Sequence, residues 1–242
     1  MKLLIDVGNT RAKWALWNGV DLLGMRAAVH GELGDLPWAD LPRVSAVVVA
    51  SVAAPALNER IAAAAHERFG MPAHFVHSRA EICGVRNAYA QPDRLGVDRF
   101  LALIAAYARA HEPTVIASCG TALTLDALAA DGTHLGGLIA ASPELALAAL
   151  RGGTANLRAM PPGSIVELAA NTADAMESGA WLAAVALVER FVAHAAQRFG
   201  VTPALTLTGG GAARLSELLA SPHRIDAELV LRGLAVLADQ SS

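Results

Sequence analysis

Asp6, Gly8, Asn9 and Thr10 stand directly after an apolar run in LLIDVGNTRAKWALW, residues 3–17, and Lys13 follows three residues later. Glycine admits close backbone approach, the amide and hydroxyl offer hydrogen bonds, and an acid at a strand end can hold a hydrated Mg²⁺. Such a set suits a metal–nucleotide phosphate tail. The same residues would also make an Asx-type turn between two strands. Lys13 favours phosphate, because it can return to that turn as a compact positive charge. The chain has no G-x-x-x-x-G-K-[ST], so a phosphate site here is not of the Walker type.

Two further glycine turns offer the same chemistry. SCGTALTLD, residues 118–126, carries Gly120, Thr121 and Thr124, and LTLTGGGA carries Thr208, Gly209 and Gly210 between a strand at 204–208 and a helix near 211–219. Backbone N–H groups at such a turn can meet a nucleotide. Between the first turn and SCGT lies NAYAQPDRLGVDRFLALIAAY, residues 87–107, where Phe100, Leu103, Ile104 and Tyr107 follow helical spacing. That spacing places Asp98 and Arg99 in the first turn of a helix, where taken alone they read as a helix-start acid and a solvated charge.

The elements that must position these residues follow from periodicity. Residues 2–7 read as a buried strand, RAKWALW as a half-exposed one, 22–29 as a third and RVSAVVVAS as a fourth, before an alanine-rich helix at 55–69 that stops at Gly70. The order is β-β-β-β-α. TVIASCGTALTLDALAADG then repeats LLIDVGNTRAKWALWNGVD, with Gly132 answering Gly19. A repeat about 110 residues long is a tandem duplication, since solenoid repeats are ~20–50 residues. This predicts an N-terminal domain over 1–112 and a C-terminal domain over 113–242, divided at His111-Glu112-Pro113. Residues 171–199 read as one long helix with a capping-box-like start at Asn171 and Asp174 and a stop at Gly200, packed against another subunit or within its own domain.

Composition narrows the classes. With 19 Lys+Arg against 22 Asp+Glu and no basic stripe, nucleic acid and anionic lipid are disfavoured as partners. Two cysteines, Cys83 and Cys119, are too few for a disulfide framework and suit a reducing compartment, so a cytoplasmic location is expected. The longest apolar stretch, VSAVVVASVAAPAL, holds a proline and falls short of the ~18 residues of a membrane span, so no transmembrane helix is expected. MKLLIDVGN lacks the apolar core of a secretory signal. His74 and His77 point to opposite faces of an extended run and make no metal site, while Cys119 reads as a small apolar residue.

The pieces IDVGNTRAKWA, NAYAQPDRLGVDR, CGTALTLD, GGLI, NTADAMESG and LTLTGGGA, in that order over essentially the whole chain, resemble the motifs of the type III pantothenate kinases. LGVDR with NTADAMESG separates that family from other members of the actin, Hsp70 and sugar kinase superfamily. The resemblance implies an α/β fold of two duplicated actin-like (ribonuclease H-like) domains, with mixed central sheets flanked by helices, closing around ATP. It implies transfer of the ATP γ-phosphate to pantothenate, the first step of coenzyme A synthesis. Asp6, Gly8, Asn9, Thr10 and Lys13 match the first phosphate loop, Gly120, Thr121 and Thr124 the second, and Thr208, Gly209 and Gly210 the adenosine loop. Asp98 matches the general base. Tyr89, Gly96, Val97 and Arg99 match pantothenate contacts, and Thr172 matches one supplied by the neighbouring subunit of a homodimer. Mg²⁺ is implied at Asp6, through water.

The chain departs from the family at two places. Ser118 stands where members commonly have an aspartate that helps hold K⁺ or NH₄⁺, which leaves the monovalent-cation requirement open. GGLIAAS lacks the family's proline and final glycine after Ile139, so a differently shaped loop is expected there. Some relatives are named as Bvg accessory factors, which gives the alternative of a nucleotide-binding regulatory protein with weak or lost kinase activity.

Overall fold

Leu3, Leu4, Ile5 and Val7 all lie buried, as a strand covered on both faces requires. They belong to β1 (Lys2–Val7), the centre of a five-stranded sheet in a computed structural model that describes residues 1–30, 38, 40–153, 155–158 and 160–240. β2 (Arg11–Trp17) and β3 (Leu22–Val29) continue the sheet on one side, each antiparallel to its neighbour. β4 (Ala46–Ser51) lies parallel on the other side and leads into α1 (Pro55–Phe69), which begins with proline and ends at Gly70 in the left-handed region, φ 70°. β5 (Ala73–Val76) pairs parallel with β4, giving the order β3-β2-β1-β4-β5. Ile61 and Ala65 of α1 close the core over Leu3, Ile5, Val47 and Val49. A two-strand ladder, β6 (Glu81–Ile82) and β7 (Val85–Arg86), then precedes α2 (Val97–Arg109).

The second half repeats this plan. β8 (Thr114–Cys119), β9 (Ala122–Leu128) and β10 (His134–Ala141) lead to α3 (Pro143–Gly153), α4 (Ala155–Arg158) and the 28-residue α5 (Thr172–Phe199). β11 (Ala204–Thr208), α6 (Ala212–Leu218), β12 (His223–Ile225) and α7 (Leu229–Gln240) follow. The sheet order β10-β9-β8-β11-β12 matches the first sheet strand for strand. Trp181, Val185, Val188 and Val192 of α5 cover Val115, Ala117, Leu125 and Leu207.

One compact unit contains residues 1–111, 131–134 and 228–242; the other contains 112–130 and 135–227. A division of the sequence into 1–112 and 113–242 therefore assigns α7 to the second half, whereas in the structure α7 packs in the first unit. Gly233 makes this possible: a Cβ there would fall 1.9 Å from the Leu101 carbonyl oxygen, so α7 lies backbone to backbone on α2.

α5 bears on the expectation that no helix spans a membrane. It is long and apolar enough, by length and composition, to cross a membrane. Scattered alanines supply that apolar character. Its Trp181 sits in the core of the second unit and its buried Glu177 pairs with Arg214 at 2.7 Å, as in a helix of a folded domain. The Asn171 side chain accepts from the Asp174 N–H at 2.9 Å and donates to the Asp174 carboxylate at 2.7 Å, and Gly200 ends the helix at φ 72°. Only a third of its most apolar stretch is covered within the chain.

Candidate active site

In the first unit the hairpin between β1 and β2 is closed by Gly8, whose N–H donates to the Arg11 carbonyl at 3.0 Å. The antiparallel register sets Asp6 directly opposite Lys13, so the acid and the ammonium share one end of the sheet. Part of Asp6 remains open to solvent, yet burial of its carboxyl and then the like charge of Asp98 push it up to about 7, with Lys13 opposing. Asp6 and Asp98, distant in sequence, thus lie close enough to repel.

Asp98 occupies the first turn of α2, and its carboxylate accepts from the Arg99 N–H at 2.9 Å. Gly96 leaves it room: a Cβ at that position would stand 2.6 Å from the Asp98 Oδ1. Val97 is buried and begins the helix. Arg99 is buried too, with Nη1 donating to the Tyr89 hydroxyl at 3.0 Å and the guanidinium carbon 5.8 Å from the ring centre. The first unit therefore holds Asp6, Lys13 and Asp98 near enough to interact, and the Arg99–Tyr89 pair follows Asp98 directly.

In the second unit Gly120 closes the matching hairpin by donating to the Ala122 carbonyl at 2.9 Å. Here Ser118 stands opposite Thr124, and Thr208 pairs with Ser118 from the far side. The duplication thus replaces the acid and ammonium of the first hairpin by a row of three hydroxyls. The turn at Gly209–Gly211 leans on this hairpin. The Gly211 N–H donates to the Cys119 carbonyl at 2.8 Å, and Gly209, at φ 89°, has no room for a Cβ, which would lie 2.4 Å from the same oxygen. Cys119 is fully buried and its thiol is pushed up to about 12, first by burial and then by Glu144, so it packs rather than reacts. Thr172 is the first residue of α5 and is exposed.

Sequence reading missed Ser142. GGLIAAS continues as strand through Ala141, and the buried Ser142 hydroxyl donates to the Thr121 carbonyl at 3.0 Å while accepting from the Leu145 N–H. It ties the Gly120–Thr121 turn to the start of α3. A serine immediately before Pro143-Glu144 was the available signal.

Among the described residues no group of three or more His, Cys, Asp or Glu could hold a metal. Magnesium needs no such cage, because it keeps waters and is commonly bound by one or two carboxylates with phosphate oxygens. The Asp6 carboxyl, raised by burial and a like charge, fits that mode.

The fold is the duplicated actin-like (ribonuclease H-like) α/β fold of sugar kinases and their relatives. Solved structures sharing it include a candidate Baf family transcriptional activator from Campylobacter jejuni (TM-score 0.66, 19% identity, 99% of this chain and 98% of that one). A candidate 2-dehydro-3-deoxygalactonokinase from Sinorhizobium meliloti shares it as well (TM-score 0.61, 14% identity, 100% and 99%). Sequence narrows the class. The chain belongs to the type III pantothenate kinase family, whose model matches residues 2–194. Type III pantothenate kinases of Chromobacterium violaceum and Xanthomonas axonopodis pv. citri are 43% identical over 242 residues (99% of this chain, 100% of the relative) and 46% identical over 241 (99% and 98%). The family's reaction is the ATP-dependent phosphorylation of pantothenate to 4'-phosphopantothenate, the first step of coenzyme A synthesis.

Proposed function

We propose that the chain performs this reaction with Asp98 as the group that receives the proton of the pantothenate hydroxyl. The observation that carries the reading is the convergence of Asp6, Lys13 and Asp98 in one unit, with Arg99, next to Asp98 in the chain, bonded to Tyr89. Arg99 and Tyr89 contact pantothenate by side chain, and Gly96 and Val97 by backbone. Lys13 neutralises phosphate charge, and the Gly8, Asn9 and Thr10 turn wraps the phosphate tail. In the second unit Gly120, Thr121 and Thr124 bind phosphate, and Thr208, Gly209 and Gly210 the adenosine.

A helix N-terminus in general stabilises a carboxylate and makes it a weaker base. That cost is small, because phosphoryl transfer is loose and depends on positioning and charge neutralisation more than on base strength. Magnesium at Asp6, through water, would neutralise charge on the phosphates. The hydroxyl row at Ser118 offers only neutral oxygens to a monovalent cation, which supports a weaker K⁺ or NH₄⁺ requirement than an aspartate would impose.

The uncovered face of α5 supports a homodimer, with Thr172 reaching the pantothenate of the neighbouring subunit. Two free cysteines suit work in a reducing compartment such as the cytoplasm, and the near-balanced charge suits small-molecule rather than nucleic-acid or membrane partners. A regulatory role gains nothing from the Campylobacter jejuni likeness, which at 19% identity shows the fold alone. Asp98→Asn tests the central role. Turnover should fall by about 10²–10⁴-fold, the usual contribution of a general base, with ATP binding nearly intact. Unchanged turnover would refute the assignment.

A further inference from the structure

We propose that His134 is a positioning residue for pantothenate: it fixes the segment bearing Tyr89 and, through the Tyr89 hydroxyl, the guanidinium of Arg99. This rests on the assignment of Tyr89 and Arg99 to pantothenate. His134 is 1% exposed and comes from residues 131–134, which join the first unit although they lie in the second half of the chain. Its Nδ1 accepts from the Ala88 N–H at 3.4 Å. Its ring lies nearly parallel to that of Tyr89, at 17° and 6.3 Å between centres. At that separation the stack is loose. It orients the phenol more than it binds it.

The turn that presents His134 is itself fastened. The Arg86 N–H donates to the Gly132 carbonyl at 2.9 Å, and its guanidinium reaches Asp131 at 2.8 Å and the Thr133 hydroxyl. Gly132, at φ 81°, permits this approach, since a Cβ there would lie 2.0 Å from the Gly84 carbonyl oxygen. On the other side Asn87 holds the backbone of the same loop. Its amide donates to the Arg79 and Pro92 carbonyls at 3.2 and 3.0 Å, and its oxygen accepts from the Tyr89 N–H at 3.0 Å. Tyr89 is thus fixed by Asn87 at its backbone and by His134 at the preceding residue and along its ring. Its hydroxyl accepts from Arg99, which leaves its own hydrogen to point elsewhere.

A buried histidine that only packs would stabilise the fold without acting on one substrate. A positioning histidine acts through Tyr89, and misplacing a recognition group by about 1 Å is enough to weaken a site. The two roles separate in steady-state kinetics. Pantothenate and ATP would be varied in turn for wild type, His134→Ala, His134→Asn and His134→Phe, and for Tyr89→Ala with and without His134→Ala. His134→Ala should raise the pantothenate KM by roughly 10-fold and leave the ATP KM within about 2-fold. His134→Asn places an amide oxygen near the position of Nδ1 and should recover most of that loss. His134→Phe keeps the ring without the acceptor and should raise the pantothenate KM by about 3- to 5-fold, a readout that serves even if the alanine variant does not fold.

In the Tyr89→Ala background the His134→Ala change should add nothing further, since both act through one ring. An unchanged pantothenate KM in His134→Phe overturns the proposal, as do equal losses for both substrates or fully multiplicative effects with Tyr89→Ala. A wild-type protein without pantothenate-dependent turnover would instead overturn the reading of the site on which it rests.

Discussion

Replacing Asp6 by asparagine should stabilise the protein in the absence of ligand, and more so as pH rises. Folding moves the Asp6 carboxyl from its ordinary value of 3.8 to about 7, by burial first and the charge of Asp98 second. The folded state therefore holds this proton more tightly than the unfolded state does. The resulting stability is fully present below 3.8 and is lost as pH rises through about 7. At about 1.36 kcal/mol per pH unit, the ionised carboxylate costs up to ~4 kcal/mol above that range. Asparagine does not titrate, so other groups largely cancel between the two proteins. The advantage of Asp6→Asn should grow by roughly 2–3 kcal/mol between pH 5 and pH 8, an upper figure because the site can relax. Urea unfolding of both proteins without nucleotide, at several pH values and with slopes compared to confirm equal exposure on unfolding, measures the difference. Parallel stability curves would show that Asp6 ionises near its ordinary value, and the view of an unbalanced carboxylate pair awaiting a cation would fail.

Other consequences are open to direct measurement. Gly211→Ala sets a Cβ 2.6 Å from the Cys119 sulfur and should destabilise by about 1–3 kcal/mol, as overpacking does; Cys119→Ala should restore most of it, and failure to do so would place the strain elsewhere. Ser118→Asp introduces an acid between Thr124 and Thr208 and should make turnover more dependent on K⁺ or NH₄⁺, read as rate against salt with Na⁺ as control. Equal cation dependence in both proteins would remove Ser118 from the account of ion handling.

Much of this architecture was readable from local pattern. β1, β2 and β3, α1 with its Gly70 stop, and α5 with its Asn171 and Asp174 start follow from periodicity and capping residues, which act over a few positions. The pairing of Asp6 with Lys13 was implied by a short hairpin, whose register places the two residues opposite one another. The repeat seen in the glycine turns reappears as two sheets of identical order. Long-range placements were not legible. Nothing local to LVLRGLAVLADQ says that Gly233 will lie on Leu101 rather than in the second unit, and nothing local to DGTH says that His134 will meet Ala88 and Tyr89. Those contacts depend on chain segments far apart in sequence.

The most direct test is ADP formation on adding pantothenate to the protein with Mg²⁺-ATP, with and without K⁺ or NH₄⁺, alongside Asp98→Asn. Pantothenate-dependent ADP release by the wild type, nearly lost in the variant while ATP still binds, is the result expected. No pantothenate-dependent ADP under any cation, or equal release by the variant, would contradict the account.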